Sequence, residues 1–314
     1  MKIVIIEPLG VEERELMDMA AGVLGTETEV IYHNTRTTDT EELIRRGQDA
    51  DIIALGNLPF PGEVLEGCKC LKMLAVAFTG VDHVDMEYCR EKGITVCNCA
   101  GYSNTAVSEL VFGLVLSLYR NLIPCDRAVR NGGTKDGLIG GELEGRTMGI
   151  VGTGAIGRRV AALAQAFGMK VIAYSRTPGR VGEIPYMSLE EVMRQSDIIS
   201  LHVPLNETTR GMIGAREISW MKKTAVLVNT ARGPVVDGAA LAKALKEGRI
   251  AGAAVDVFDT EPPISQEDPL VHAPNTILTP HVAFATSESM VKRARIEFEN
   301  IAAFIKGNPV NIVH

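Results

Sequence analysis

The feature that most constrains this chain is a rhythm that runs twice. Short apolar runs of strand length alternate with helix-length segments along almost its whole length. Such alternation specifies βαβ units and a parallel sheet, whose strands are buried on both faces and therefore read as continuous apolar runs. In the first part of the chain the predicted strands are Ile3–Ile6, Glu29–His33, Asp51–Gly56, Met73–Phe78 and Ile94–Cys97. An apolar helical pattern follows from Ser103 to Arg120, and the stretch from Asn131 to Gly145, rich in Gly and charge, reads as a loop. The rhythm then restarts with Met148–Gly152, Lys170–Ser175, Asp197–His202, Ala225–Asn229, Ala253–Val257 and Thr276–Thr279, and a last helix covers Ser287–Lys306. Two runs of one rhythm predict two doubly wound α/β domains, a count that suits 314 residues.

Composition excludes several classes of function. Lys and Arg number 32 against 39 Asp and Glu, a net charge of −7. A nucleic-acid binder needs a basic face to displace phosphate counterions, so none is expected as a partner. A hydrophobic content of 46% with 23% charged residues excludes disorder. The most apolar long stretch, Ala106–Tyr119, contains Glu109 and is too short to span a bilayer. The apolar run Ile3–Ile6 is too short for a secretory signal, and the expectation is a cytoplasmic protein with no membrane partner. Cys68, Cys70, Cys89, Cys97, Cys99 and Cys125 lack zinc-finger spacing, so they read as reduced thiols and no metal is expected.

The segment Gly152-Thr153-Gly154-Ala155-Ile156-Gly157 matches G-x-G-x-x-G in the right setting, after an apolar strand and before a helical pattern. The first glycine permits a tight turn, the second lets a pyrophosphate approach the backbone, and the third lets helix and strand pack closely. The helix N-terminus offers free N–H groups to the phosphates, which includes those of Ala155 and Ile156. An NAD site usually carries an acid at the end of the next strand for the ribose 2′-hydroxyl. Here the strand ends in Ser175-Arg176-Thr177, which could bind a 2′-phosphate through hydrogen bonds and charge. The trio favours NADP(H). NAD(H) is the alternative, with Arg176 a solvated loop cation or stacked on adenine.

Three further segments follow predicted strands: Asn229-Thr230-Ala231-Arg232-Gly233, Asp256 through Pro262, and Thr279-Pro280-His281. Carboxyl ends of strands are where open parallel sheets bind ligands. Together with Gly80-Val81-Asp82-His83-Val84-Asp85, Val107-Ser108-Glu109 and the glycine fingerprint, they make six ordered motifs spread over the whole chain. In these the sequence resembles the D-isomer-specific 2-hydroxyacid dehydrogenases, a family that includes glyoxylate and hydroxypyruvate reductases, D-lactate-type dehydrogenases, formate dehydrogenase and phosphoglycerate dehydrogenase.

The resemblance implies a Rossmann dinucleotide-binding domain (100–286) inserted into a flavodoxin-like substrate-binding domain (1–99 and 287–314), with substrate in the cleft between them. It implies Arg232, Glu261 and His281 as the catalytic set. It places the substrate carboxylate against N–H groups at Thr79 and Gly80 and against Arg232, with His281 also in contact with substrate. To the cofactor it assigns Val203, Pro204, Thr209, Thr230 and Ala231, with Asp256 near the nicotinamide amide. It implies a homodimer in which the Ser103–Arg120 helix and the following loop meet a second subunit.

The chemistry suits these assignments. Reducing a 2-oxo acid needs hydride on the carbonyl carbon and a proton on its oxygen. Imidazole exchanges protons near neutral pH, so His281 can supply that proton. Glu261 on the other ring nitrogen would favour imidazolium. Arg232 can hold a carboxylate with two parallel hydrogen bonds. The segments Leu58–Pro61 and Phe78–Val81 contain no basic residue, which points to an unphosphorylated substrate such as glyoxylate, hydroxypyruvate or a short-chain homologue. The alternatives are phosphoglycerate dehydrogenase and a nicotinamide-sensing, corepressor-like binding module, since fold does not fix function.

Overall fold

The computed structural model describes residues 1–179, 184–260 and 262–313. The chain forms two compact units, Met1–Ser103 with Ala285–His314 and Asn104–Phe284. The joints lie a few residues from 99/100 and 286/287. Asn104 begins the helix Asn104–Tyr119, and Thr286 caps the helix Ser287–Ile305 through the N–H of Ser289.

The first unit holds a parallel sheet of β1 (Lys2–Ile5), β2 (Glu29–Tyr32), β3 (Ile52–Leu55), β4 (Met73–Val76) and β5 (Thr95–Asn98), in the order β2-β1-β3-β4-β5. That is the flavodoxin order. Every residue of β3 and β4 is buried, as the uninterrupted apolar runs require. Two apolar layers cover the sheet, one around Phe60, Leu58 and Val76, the other around Ile5, Leu16 and Phe298. Phe298 and Ile301 come from the Ser287–Ile305 helix, so that helix belongs to this unit. The last residues pair antiparallel with β5, Ile312 opposite Cys97.

The second unit holds β6 (Thr147–Val151), β7 (Lys170–Tyr174), β8 (Ile198–Leu201), β9 (Val226–Asn229), β10 (Gly252–Val255) and β11 (Thr276–Leu278), all parallel, in the order β11-β10-β9-β8-β6-β7. A one-residue bridge joins Ala173 to Tyr186, with Ala173 N–H donating to Pro185 O and Met187 N–H to Ala173 O, both at 2.9 Å. Counting 185–187 as a rudimentary outer strand gives the dinucleotide-fold order 3-2-1-4-5-6 with one strand added at the far edge. Strand order reverses between β6 and β8, which makes the crevice beside the glycine turn the expected ligand position. The Asn104–Tyr119 helix buries Val111, Phe112, Leu114 and Val115 in this unit's own core. A helix over Leu122–Arg130 follows it, which the sequence reading did not anticipate.

Candidate active site

The glycine turn joins β6 to the helix Ala155–Ala166. Gly152 has φ +99°, and a Cβ there would lie 2.6 Å from His202 O and 3.0 Å from Val203 Cγ1. Only glycine fits where the turn passes beneath the loop after β8. A Cβ on Gly157 would press into the Gly152 carbonyl, which is the close helix–strand contact the third glycine permits. A Cβ on Gly154 would meet nothing within 4 Å, so the middle glycine borders open space. Thr153 is buried, and its Oγ1 accepts from Tyr186 Oη at 3.1 Å.

At the end of β7, Ser175 Oγ accepts the Thr177 N–H at 3.3 Å, and Arg176 is exposed. After β8, Val203 is half-buried and Pro204 exposed. Thr209 Oγ1 donates to Pro204 O at 2.6 Å and accepts from Asn206 N–H at 2.9 Å, so its hydroxyl shapes that loop. His202 Nε2 lies 2.8 Å from Ser200 Oγ, and removal from water pushes its pKa down to about 3. A ring held neutral across the physiological range cannot exchange protons there.

The turn after β9 is built by Asn229. Its Oδ1 accepts from Ala231 N–H at 3.0 Å and its Nδ2 donates to Arg232 O at 2.9 Å. Arg232 is half-buried, and Nη1 donates to Ala231 O at 2.7 Å. Gly233 lies so close to the Phe258–Asp259 backbone that any Cβ would overlap it, which locks the Arg232 turn against the segment after β10. Thr230 is buried, and among the described residues its Oγ1 has no hydrogen-bond partner. A buried hydroxyl left unpaired costs about 1–3 kcal/mol, which a ligand oxygen or amide would recover.

Asp256 follows β10 and is fully buried. Its Oδ1 accepts from Thr279 Oγ1 at 2.6 Å and Val282 N–H at 2.9 Å, and its Oδ2 accepts from Ala283 N–H at 2.9 Å. His281 N–H donates to Asp256 O at 2.8 Å and to Thr279 O at 3.0 Å. His281 itself sits in the left-handed region at φ +56°, with its ring edge-on to Phe284, centroids 5.3 Å apart. Asp256 is expected near the nicotinamide amide, and it also organises the turn that presents His281. Neither this role nor those of Asn229, Gly233 and Phe284 was read from the sequence. The one available signal was a strand-ending Asn or Asp followed by a turn. Glu261 lies outside the described residues.

In the first unit, Thr79 and Gly80 follow β4. Asn98 Nδ2 donates to Thr79 O at 2.7 Å, while among the described residues the N–H groups of Thr79 and Gly80 have no acceptor. Asp85 of the same motif caps the helix Met86–Lys92 through Tyr88 N–H at 2.9 Å. Two arginines distant in sequence lie beside the segments that contain no basic residue. Arg36 reaches Asn57 Oδ1 at 2.7 Å and pairs with Glu7 at 2.6 Å. Arg293 is buried, donates to Leu9 O, and lies 4.8 Å from the Phe78 ring.

The residues of the second unit fit a dinucleotide. Open space beside Gly154, uncapped N–H groups at the start of the following helix and the orphaned Thr230 hydroxyl all lie at carboxyl ends of strands.

The chain is similar to known proteins over nearly its full length. Residues 112–283 match the family model for D-isomer specific 2-hydroxyacid dehydrogenase, NAD binding domain. A glycerate dehydrogenase of Methylorubrum extorquens is 41% identical over 292 residues, 90% of each chain. A hydroxypyruvate reductase of Blautia hydrogenotrophica is 37% identical over 297 residues, 91% of each. Among solved structures, an acyclic imino acid reductase (Bsp5) in complex with NADPH and D-Arg superposes with a TM-score of 0.90 at 32% identity, covering 100% of both chains.

Proposed function

The chain belongs to the D-isomer-specific 2-hydroxyacid dehydrogenases, and on that footing we propose how its residues divide the chemistry. The protein is an oxidoreductase of the NAD(P)-dependent kind that interconverts 2-oxo and 2-hydroxy acids. The bound nicotinamide supplies or takes up the hydride. His281 gives a proton to the 2-oxo oxygen in reduction and takes it back in oxidation, with Glu261 as its ring partner. Arg232 holds the substrate carboxylate and polarises the carbonyl, and the N–H groups of Thr79 and Gly80 bind the same carboxylate. The observation that carries this reading is the His281 turn, held in a left-handed conformation on a fully buried Asp256. A turn so constrained, at the carboxyl edge of the sheet, suits the placing of a proton donor.

The substrate we propose is unphosphorylated: glyoxylate, hydroxypyruvate or a short homologue. Arg36 is taken up by Glu7, and Arg293 is buried on Leu9 O and Phe78, so neither stands ready for a phosphate. Two of the relatives above, a glycerate dehydrogenase and a hydroxypyruvate reductase, are named for acids of this size. For the cofactor we propose a preference for NADP(H), supported by Ser175, exposed Arg176 and Thr177 in place of an acid. We further propose a cytoplasmic homodimer. Among the described residues no single helix is long and apolar enough to cross a membrane. The Asn104–Tyr119 helix is spent on its own core, but Leu122, Ile123, Val129 and Ile139 just after it are exposed apolar side chains. A cavity of about 650 Å³ lined by Tyr119, Asn121, Ile123 and Arg127 adjoins them, and light scattering at micromolar concentration tests the dimer.

Steady-state reduction of glyoxylate, hydroxypyruvate, pyruvate and 3-phosphohydroxypyruvate, each with NADH and NADPH, tests the whole assignment. The expected result is a higher kcat/KM for an unphosphorylated acid with NADPH. A higher value for the phosphorylated acid would overturn the substrate class. Binding of cofactor without turnover of any acid would favour the sensing module.

A further inference from the structure

The helix Ala155–Ala166 begins differently from six other helices of the chain. Helices starting at Glu13, Thr40, Met86, Leu189, Gly238 and Ser287 are each closed by a side chain, from Glu12, Asp39, Asp85, Ser188, Asp237 and Thr286. The Ala155–Ala166 helix has Gly154 at its N-cap, no capping side chain and no acid in its first turn. Its partial positive charge is therefore uncompensated within the protein.

A cation has been added at that same end. Side chains on a helix lean toward its N-terminus, and Arg158 does so, its Nη1 donating to Thr153 O at 3.4 Å. The carbonyl it reaches belongs to a residue that is itself fixed, since Thr153 is buried and bonded to Tyr186 Oη at 3.1 Å. Arg158 is exposed and has no carboxylate partner among the described residues. Its neighbour Arg159 is used differently: it donates to Ser108 Oγ at 3.0 Å and lies 4.0 Å from Glu109. A guanidinium folded over a helix N-terminus is unfavourable by itself, and becomes favourable when an anion occupies the space between.

We propose that Arg158 is a ligand of a phosphoryl group of the bound dinucleotide, a role that the glycine fingerprint does not assign to it. The proposal rests on the reading of the glycine turn as the dinucleotide site. On binding, a phosphoryl oxygen accepts from the first-turn N–H groups and from the guanidinium, which presents five donors and spends one, at 3.4 Å, on Thr153 O. The cation that strains the empty helix end then becomes part of the anion site.

Arg158→Gln and Arg159→Gln, with the wild type, test this by two readouts: dissociation constants for NADH and NADPH from nicotinamide fluorescence, and the Tm of the cofactor-free protein. Loss of a charge-assisted bond at a partly exposed site should raise the Kd of the Arg158→Gln protein about tenfold. Its cofactor-free Tm should hold or rise, because a cation leaves a positive helix end. Arg159→Gln should leave the Kd unchanged. Equal weakening of both dinucleotides assigns the guanidinium to the diphosphate that both carry, and weakening of NADPH alone assigns it to the 2′-phosphate. An unchanged Kd for both, with wild-type binding intact, overturns the proposal and leaves the dinucleotide site standing. So does a fall in cofactor-free Tm that Arg158→Lys repairs without restoring affinity, which would mark Arg158 as a clasp on Thr153. A wild type that binds neither dinucleotide refutes the glycine-turn reading, and this proposal with it.

Discussion

Replacing Asp256 with Asn removes a charge while keeping the shape of the side chain. The carboxylate is fully buried and accepts three donors, two on Oδ1 and one on Oδ2. Asparagine has one carbonyl oxygen and one NH2 group. If the oxygen keeps the Oδ1 position, the NH2 faces the Ala283 N–H, donor against donor. If the amide flips, the Thr279 hydroxyl and the Val282 N–H lose their acceptor. Either way a charge-assisted bond worth about 1.5–3 kcal/mol disappears and a buried donor is left unpaired, so the loss is about 3–5 kcal/mol. At roughly 2–4 °C per kcal/mol for a domain of this size, the second unit should melt about 10 °C lower.

Activity should fall by a separate route. His281 holds φ +56° because its N–H is shared between Asp256 O and Thr279 O, and the turn around it hangs on the Asp256 carboxylate. A non-glycine residue in the left-handed region costs about 1–3 kcal/mol that the surroundings must supply. Released, the turn relaxes and the imidazole moves. A displacement of about 1 Å at a reacting group can cost about 10²-fold in rate. Thermal unfolding with steady-state kinetics therefore should show a lower Tm and a kcat reduced about 10²-fold, with the 2-oxo acid KM changed much less. An Asp256→Asn protein within about 2 °C of the wild type, turning over at the wild-type rate, would refute the argument that this carboxylate builds the His281 turn.

Three other outcomes follow from the same structure. His281→Ala should reduce 2-oxo acid reduction by about 10²–10⁴-fold while cofactor binding persists, and near-normal turnover would remove the histidine from the proton step. Ser175→Asp should turn a preference for NADPH into one for NADH by repelling the 2′-phosphate and accepting the 2′-hydroxyl, and a wild type that already prefers NADH in kcat/KM would show that Arg176 is not a phosphate ligand. Glu297→Gln should flatten the pH dependence of stability. Glu297 is fully buried with both oxygens unpartnered among the described residues, and burial, with Arg293 opposing and Glu7 adding to it, raises its pKa well above 4.5. The native state therefore keeps a proton that the unfolded chain releases above about pH 4.5, so stability is full below that pH and declines as pH rises toward the raised pKa of the folded state. Denaturant titrations at low and neutral pH with identical wild-type and Glu297→Gln slopes would contradict this.

The sheets were legible in the sequence because their strands are buried on both faces. Lys170–Ser175 was expected and Lys170–Tyr174 is found, and Met73–Phe78 shortens to Met73–Val76 only because the chain turns off the sheet toward Thr79. The Leu122–Arg130 helix was hidden for two reasons. It opens on Asn121 in the left-handed region, and Pro124 sits in its first turn, where proline is tolerated but reads in sequence as a breaker. The outer strand at 185–187 pairs through one residue, too short for any periodicity to register. Motif order singled out Arg232 and His281 as a proposed catalytic set. The device that positions His281 was not, because Asp256 reaches it only through the pairing of β10 with β11.

Thr209 and Thr230 show what sequence alone withholds about a binding site. Both are threonines just past the carboxyl end of a parallel strand, and both were assigned to the cofactor. In the fold they differ. Thr209 donates to Pro204 O and accepts from Asn206, so its hydroxyl is satisfied by its own loop. Thr230 is buried with its hydroxyl unpaired among the described residues. Natural proteins satisfy nearly all buried polar groups, so one left open at the carboxyl edge of a parallel sheet supports the proposal that a ligand completes it. The same distinction separates Asn229 and Asp256, whose side-chain polar atoms are engaged by the neighbouring turns, from the first-turn N–H groups beside Gly154 and the N–H groups of Thr79 and Gly80, which have no acceptor among the described residues. The first group holds the turns still, and the second is where we propose that the dinucleotide and the acid bind. Motif order named members of both groups together, because hydrogen-bond satisfaction is a property of the folded chain and leaves no mark in the order of its residues.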